Sequence, residues 1–286
     1  MEVGIGLPTT IPGVTGEQVL EWARRAEARG FSSLGTIDRI VYPNYEPLIA
    51  LAAVAGVTER IRLATTILIA PYRANAALVA KQAATLDHLS GGRLVLGVAV
   101  GGREDDYAVS GVDFHTRGRR FDEMLEEWER IWAGEPVAGG GTVGPQPPRG
   151  RPSLILGGSA DAAYRRAARY GDGWSLGGGT PDMFTEGMEK MRGAWQSAGR
   201  EGDPRGMSLA YYALGDRAKD AANGYLNDYY AFLGEYSQTI ADSAATNPDT
   251  VRGYVQGFTD AGCDELILFP SDPDPSQVDL LADALA

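Results

Sequence analysis

Residues 61–101, IRLATTILIAPYRANAALVAKQAATLDHLSGGRLVLGVAVG, contain one complete strand–helix–strand unit. The apolar runs at its two ends predict strands over residues 62–69 and 94–98. Between them, residues 76–89 have helical spacing and stop at Ser90-Gly91-Gly92. The run LVLGVAV is apolar without alternation, which is typical of a parallel strand buried on both faces. This stretch therefore predicts parallel strands joined by a crossover helix.

The same alternation extends along the whole chain of 286 residues. Further strands are predicted at residues 3–7, 33–37, 153–156, 173–176, 207–214 and 265–269. Helices are predicted at residues 17–28 and 119–133, and Thr180-Pro181 has the form of an N-cap followed by a first-turn proline. Eight alternations favour a closed (β/α)₈ barrel, an α/β TIM-barrel fold, over an open doubly wound sheet. Because no linker or composition shift divides residues 1–286, we expect a single domain.

Two regions do not fit a minimal repeat. Residues 134–151 are rich in Gly and Pro and predict an exposed loop before the fifth strand. Residues 216–262 are too long for one crossover and carry tyrosines at 225, 229, 230 and 236. They predict extra helices that cover the barrel mouth or form a subunit contact. Buried aromatic packing is the alternative interpretation of the same tyrosines.

Composition limits the classes of partner. The formal net charge of −12 disfavours nucleic acid and anionic membranes, because both would repel the protein. The first residues lack the order of a signal peptide, and no apolar stretch reaches the length of a membrane span. Cys263 is the lone cysteine, which excludes a disulfide within the chain. We therefore expect a cytoplasmic protein.

In such a barrel the loops after the strands build the active site. After strand five, Gly157, Gly158 and Ser159 precede a helix that begins near Ala162, so free amides could hold an anion. A tight turn that needs glycine for its dihedral angles explains the same residues equally well. Asp38 ends strand two, where it could orient a ligand ring, pair with Arg39 or cap the next segment. Arg73 and Arg103 lie on mouth loops and could meet an anionic cofactor tail. We find no residue spacing that indicates a metal site.

Residues 61–101, together with RGRRFDEMLEEWERIWAGEP (117–136) and ILGGSADAAYRRAARYGDGW (155–174), resemble the luciferase-like flavin-dependent oxidoreductases. That family includes bacterial luciferase, alkanesulfonate monooxygenase and the coenzyme F420-dependent dehydrogenases and reductases. The resemblance runs from Val3 to about Trp174 and resumes at residues 264–270. It implies a (β/α)₈ barrel with FMN or the deazaflavin coenzyme F420 at the mouth.

The resemblance also implies roles for individual residues. Thr66 and Ile67 match a strand-three bulge that often holds a non-proline cis peptide behind the cofactor ring. Ile69 and Asp38 match ring contacts. The remaining matches are Gly101 and Asp105 for ring or tail contacts, and Gly157, Gly158, Ser159, Ala160, Ala162 and Ala163 for the phosphate side.

One departure from the family pattern concerns the end of strand two. Many members have Asp-His there, with the histidine as proton donor, whereas this chain has Asp38-Arg39. An acid found after strand four in the sugar-phosphate dehydrogenases is replaced by Gly102. Both differences argue against sugar-phosphate oxidation and a luciferase-type reaction. Candidate polar or proton-relay groups are Arg39, Tyr72, Tyr107 and His115.

The resulting prediction is an oxidoreductase that transfers a hydride between a reduced deazaflavin or flavin and a small organic substrate. The compact chain and Asp38 favour coenzyme F420. The alternatives are an FMN-dependent two-component monooxygenase that uses oxygen and a non-catalytic flavin-binding protein. A phosphate-binding lyase or isomerase ranks last, because the strand ends offer mostly glycine, threonine and aliphatic residues. The resemblance leaves open a homodimer and a partner reductase that supplies reduced flavin or F420.

Overall fold

The strands close into a parallel barrel in the computed structural model, which describes residues 1–137 and 139–286. Within those residues the barrel has eight strands in chain order, and β1 pairs with β8 to complete the ring. The strands are β1 (Glu2–Gly6), β2 (Ser33–Thr36), β3 (Arg62–Ile69), β4 (Leu94–Ala99), β5 (Ser153–Gly157), β6 (Gly173–Leu176), β7 (Arg205–Tyr212) and β8 (Glu265–Pro270). The predicted (β/α)₈ barrel is confirmed.

Helices connect the strands on the outside of the barrel. They are α1 (Gly16–Ala28), α2 (Pro47–Ala55), α3 (Ala76–Leu89), α4 (Glu104–Val109), α5 (Arg117–Trp132), α6 (Asp161–Tyr170), α7 (Pro181–Ser197), α8 (Ala218–Tyr229), α9 (Tyr236–Asp242), α10 (Pro248–Asp260) and α11 (Ser276–Leu285). Thr180 accepts a hydrogen bond from the Met183 amide, so the predicted N-cap of α7 is confirmed. No helix in the described part of the chain is long and apolar enough to cross a membrane.

Helix α5 shows how the sequence pattern produces packing. Its apolar residues recur on one face, and Phe121, Leu125, Trp128 and Trp132 are all buried. Trp128 Nε1 donates to the Ala76 carbonyl at 2.9 Å, which joins α5 to α3. Burial of such aromatic rings dominates the energetics of a core, while the indole N–H keeps a partner.

The amino end of the barrel is closed by a buried ion cluster. The Glu265 side chain has no exposed surface. Its carboxylate forms salt bridges with Arg205 at 2.6 Å and Arg62 at 3.1 Å, and it accepts a hydrogen bond from the Ser33 hydroxyl at 2.7 Å. Cys263 lies beside this cluster and is buried. The opposite, carboxyl end of the barrel is therefore where a ligand has room to bind.

Residues 216–262 form α8, a 3₁₀ turn at Ala231–Leu233, α9 and α10. The Tyr225 hydroxyl lies 2.6 Å from the Thr10 hydroxyl after β1, and the Tyr230 hydroxyl lies 2.7 Å from that of Tyr211 on β7. This region therefore covers part of the barrel mouth, and Tyr225 and Tyr229 are also buried, whereas Tyr236 is 60% exposed. Both sequence interpretations hold for Tyr225 and Tyr229, and neither holds for Tyr236. The predicted loop at 134–151 has no helix or strand among its described residues, and Ala138 lies outside them.

Candidate active site

Half-exposed apolar side chains form a floor at the carboxyl ends of β3 and β4. Ile67, Ile69, Ala99 and Val100 are partly accessible, whereas the preceding residues of both strands are almost all buried. The register shifts between Thr65 and Leu68, and the Thr66–Ile67 peptide is cis, so the predicted bulge is present. We call Ile67, Ile69, Ala99 and Val100 the apolar floor.

Two glycines make room for the apolar floor. A Cβ on Gly157 would lie 2.3 Å from Ile67 Cδ1, and one on Gly101 would lie 2.8 Å from Ile69 Cγ2. Gly101 also has φ of 67°, a conformation that side chains disfavour. Glycine at both positions is therefore a steric requirement of this surface.

The turn between β5 and α6 lies beside the apolar floor. Gly158, Ser159 and Ala160 are exposed, and Gly158 has φ of 120°. The N-cap of α6, Ala160, makes no side-chain hydrogen bond, so no side chain caps the amides of Asp161 and Ala162, whereas the Ala163 amide donates to the Ala160 carbonyl at 2.7 Å. The Trp174 indole donates to the Gly158 carbonyl at 2.8 Å and holds the turn. Free amides and the positive end of the helix dipole give this turn the character of an anion site, although Asp161 in the first turn partly offsets it.

Asp38 is buried at the end of β2 and its partner is Arg73. The Arg73 guanidinium lies 2.6 Å from Asp38 Oδ2, and the same oxygen accepts the Ile69 amide at 2.8 Å. The prediction that Asp38 pairs with Arg39 is wrong, because the loop after β3 brings Arg73 back over the strand end. Burial opposes the charge on Arg73, but attraction to Asp38 outweighs it and raises the pKa of the guanidinium. Asp38 therefore positions Ile69, and its direct contact with a cofactor ring stays a prediction.

Arg39 and Arg103 converge on one backbone carbonyl. Arg39 donates to the Tyr229 carbonyl at 3.3 Å and Arg103 donates to it at 3.1 Å. Arg39 also lies 3.3 Å from Asp105, a predicted ring or tail contact. The sequence placed Arg39, Arg103 and Asp105 at the mouth but gave no sign that they meet Tyr229, which is more than 120 residues away from all three in the chain.

A tyrosine cluster covers the opposite side of the mouth. Its members are the buried Tyr211, Tyr225 and Tyr229 and the half-buried Tyr230, and Tyr211 also packs on Phe269 of β8 with ring centroids 6.3 Å apart. The ends of β1, β7 and β8 are therefore covered, and access remains on the side of β3, β4 and β5. The spacing of the tyrosines in residues 225–230 was the sequence signal for this cluster. Which residues they contact became visible in the structure, where Tyr225 meets Thr10 and Tyr230 meets Tyr211.

The other candidate polar residues, Tyr72, Tyr107 and His115, lie along one row of packed rings: the Tyr72 and Tyr107 ring centroids are 5.7 Å apart, and Phe114 packs on both Tyr107 and His115. The Tyr107 hydroxyl donates to the Val100 carbonyl at 2.5 Å, and burial raises the pKa of this phenol. Burial, and then the Asp38 charge, raise the pKa of Tyr72. Both phenols therefore stay protonated near neutral pH. His115 is exposed and packs on Phe114. Among the described residues no cluster of His, Cys, Asp and Glu could hold a metal ion.

Relatives with curated names include both uncharacterized proteins and enzymes. An uncharacterized protein of Mycobacterium tuberculosis, Rv0940c, is 36% identical over 62% of this chain and 71% of its own length. The 4-hydroxyprotoasukamycin monooxygenase of Streptomyces nodosus subsp. asukaensis is 28% identical over 75% of this chain and 65% of its own length. The F420-dependent glucose-6-phosphate dehydrogenase of Kribbella flavida is 29% identical, over 65% of this chain and 61% of its own length.

Solved structures share the fold over essentially the whole chain. Monooxygenase RslO1 from Streptomyces bottropensis has a TM-score of 0.83 at 24% identity, covering 100% of this chain and 98% of its own. An F420-dependent secondary alcohol dehydrogenase, solved with an F420–acetone adduct, has a TM-score of 0.83 at 19% identity, covering 99% of this chain and 97% of its own. A sequence model of the luciferase-like monooxygenases matches residues 1–264. The chain therefore belongs to the luciferase-like monooxygenase family.

Proposed function

We propose that this protein is an oxidoreductase that transfers a hydride between reduced coenzyme F420, or a reduced flavin, and a small organic substrate. The observation that carries the proposal is the position of the apolar floor directly beside the uncapped start of α6. The planar ring of the cofactor can rest on the apolar floor while its phosphate group binds at the start of α6.

The apolar floor fits a tricyclic ring in shape and polarity. Its four side chains are aliphatic and half-exposed, and Gly101 and Gly157 keep their surroundings free of side chains. Burial of aliphatic surface under an aromatic ring contributes about 25 cal/mol per Å². The buried Asp38–Arg73 pair holds the backbone of Ile69 and so keeps the floor in place.

The turn after β5 fits a phosphate group. We propose that the amides of residues 159–162 receive it, so that Gly158, Ser159, Ala160, Ala162 and Ala163 lie on the phosphate side of the cofactor. An unpaired helix start binds anions through both its N–H groups and its dipole. Trp174 restrains the turn through the Gly158 carbonyl, so little order has to be gained on binding.

A bound deazaflavin or flavin supplies the hydride chemistry, and the protein supplies binding and electrostatics. The tyrosine cluster excludes water from one side of the mouth. Arg39 stands where many family members have a proton-donating histidine, but a guanidinium offers only N–H donors and, unlike an imidazole, does not serve as an acid–base group in proteins. We therefore propose that Arg39 orients the substrate and stabilises negative charge rather than donating a proton.

Coenzyme F420 is the preferred cofactor in this proposal, supported by the F420-dependent enzymes among its relatives and fold neighbours. An FMN-dependent monooxygenase is the second candidate, supported by the monooxygenases in the same group. That reaction would need a partner reductase to deliver reduced flavin.

Titration of the full-length protein with coenzyme F420 and with FMN, followed by quenching of cofactor fluorescence, tests the proposal. We expect micromolar binding of one cofactor. Failure of both to bind at tens of micromolar would refute it. Oxidation of the bound reduced cofactor is then followed with a panel of small carbonyl compounds, alkenes and oxygen. Binding without turnover by any of them would instead support a non-catalytic flavin-binding protein.

A charge variant tests the phosphate position separately. Ser159 is exposed, so Ser159→Glu should fold normally while placing a negative charge at the turn. A like charge a few Å from a phosphate should weaken cofactor binding by about tenfold or more. Gln196→Glu adds the same charge at an exposed site on α7 and should leave the affinity unchanged. Equal affinities of the two variants would contradict the proposed orientation of the cofactor.

A further inference from the structure

Two arginines from different loops meet above the end of β3. Arg39 follows β2 and Arg103 follows β4, and these strands flank β3 in the barrel. Both guanidinium groups donate to the Tyr229 carbonyl, at 3.3 Å and 3.1 Å, so they lie close to each other at the mouth of the barrel. We call Arg39 and Arg103 the arginine pair.

The arginine pair has donors without acceptors. Arg39 Nε and Arg103 Nη1 are buried, and neither has a hydrogen-bond partner in the described part of the chain. The Arg39 side chain is only 7% exposed. Burial, and then the neighbouring charge of Arg39, lower the pKa of Arg103. A buried donor without an acceptor costs about 1–3 kcal/mol, and more for a charged group, so this arrangement lacks an anion.

The surrounding acids do not supply that anion in full. Asp105 lies 3.3 Å from Arg39, but its side chain is 47% exposed. Asp106 is buried and accepts the amides of Ile40 and Val41. Asp228 accepts the Tyr42 hydroxyl. Among the acids that the structure describes around the arginine pair, Asp105 alone therefore competes with a ligand.

Aromatic rings surround the arginine pair. The Arg39 guanidinium lies 4.9 Å from the centre of the Tyr42 ring, and that of Arg103 lies 3.5 Å from the centre of the Phe232 ring. Phe232 is 52% exposed and covers Arg103 from the solvent side. A ligand that reaches the unpaired donors would displace this ring, and would then have an aromatic contact on either side.

We propose that the arginine pair binds a carboxylate of the substrate, and that the substrate is an aromatic or otherwise apolar carboxylic acid. A guanidinium presents two parallel N–H groups to the two oxygens of a carboxylate. The rings of Tyr42 and Phe232 favour an apolar body on that carboxylate. That this carboxylic acid is a substrate rests on the proposed function. Its binding to the arginine pair requires neither cofactor nor turnover.

Calorimetric titration of the full-length protein with benzoate and with benzamide tests the proposal. The two probes have the same shape and differ in charge. We expect benzoate to bind in the millimolar range or better and benzamide to bind at least about tenfold more weakly, because a hydrogen bond to a charged group is worth about a factor of ten or more. Equal binding of the two probes, or no binding of benzoate at millimolar concentration, overturns the proposal.

Variants locate the site. Arg39→Gln and Arg103→Gln should each weaken benzoate binding about tenfold, whereas Arg169→Gln, a change at an arginine 65% exposed on α6, should not change it. Asp105→Asn removes the competing acid and should tighten benzoate binding severalfold. If the arginine variants fail to fold, as thermal unfolding would show, Asp105→Asn decides alone, and an unchanged affinity overturns the proposal. Benzoate binding that persists when neither F420 nor FMN binds would refute only the proposed function.

Discussion

Gly187 lies in the middle of α7, where its missing side chain makes room for Trp174. A Cβ at this position would lie 2.2 Å from Trp174 Cη2, well inside any contact distance, and the ring is only 1% exposed. Gly193 lies on the same helix but is exposed, and a Cβ there meets nothing within 4 Å. Replacing each glycine by alanine therefore changes helix propensity equally and packing only at Gly187.

The expected magnitudes have opposite signs. Glycine to alanine inside an exposed helix stabilises a protein by about 1 kcal/mol. Overpacking a rigid core site costs about 1–3 kcal/mol. Gly193→Ala should thus raise the free energy of unfolding by up to about 1 kcal/mol, whereas Gly187→Ala should lower it by up to about 2 kcal/mol. For a chain of this size 1 kcal/mol corresponds to about 2 °C in Tm.

Gly187→Ala should also weaken cofactor binding, because Trp174 donates to the Gly158 carbonyl at 2.8 Å and holds the proposed phosphate turn. Thermal and urea unfolding, together with the cofactor titration, measure both effects. We expect a lower Tm and an affinity severalfold weaker for Gly187→Ala, with neither change for Gly193→Ala. A Tm for Gly187→Ala that rises as much as that of Gly193→Ala would refute the packing argument.

Three further predictions concern the rest of the chain. Asp38→Asn leaves the charge of Arg73 without its buried partner and should cost about 3 kcal/mol in urea unfolding; a loss below about 1 kcal/mol would mean that the pair contributes little. Burial acts to raise the pKa of the Glu27 carboxyl, but hydrogen bonds from the amides of residues 59–61 outweigh it and lower this pKa. The carboxylate therefore stabilises the fold above pH 4.5, and this stabilisation is lost as the pH falls through the lowered pKa. Glu27→Gln should therefore be less stable than the parent near neutral pH, and the two stabilities should converge in acid; a difference independent of pH would contradict this. Burial raises the pKa of Cys263 to about 12, so a thiol reagent at pH 8 should label it only after denaturation, and rapid labelling of the native protein would show that the thiol is accessible.

The strands were predictable because parallel barrel strands are buried on both faces. Residues 62–69 and 173–176 were predicted with their observed ends, and the other six strands differ by at most two residues at either end. The helix at residues 76–89 was also predicted with its observed ends, since Ser90, Gly91 and Gly92 mark its stop.

Three helices were not predicted, and their sequences explain why. Helix α2 is PLIALAAVA, which is apolar all round and has no helical period. Helix α4 is only six residues long and begins with three acidic residues. Helix α11 lies at the end of the chain, where no following strand marks it as a connection.

By itself, the sequence determined the strand count, the closed barrel and the loops that face its mouth, because these follow from local burial patterns and from the rule that parallel strands end on one side. It did not determine which side chains meet there. The pairing of Asp38 with Arg73, the convergence of Arg39 and Arg103 on Tyr229, and the tyrosine cluster over β1, β7 and β8 were decided by the tertiary structure alone. These contacts join residues up to 215 positions apart in the chain. Such residues come together only when the barrel closes and α8 crosses its mouth, so no local sequence pattern predicts their contact.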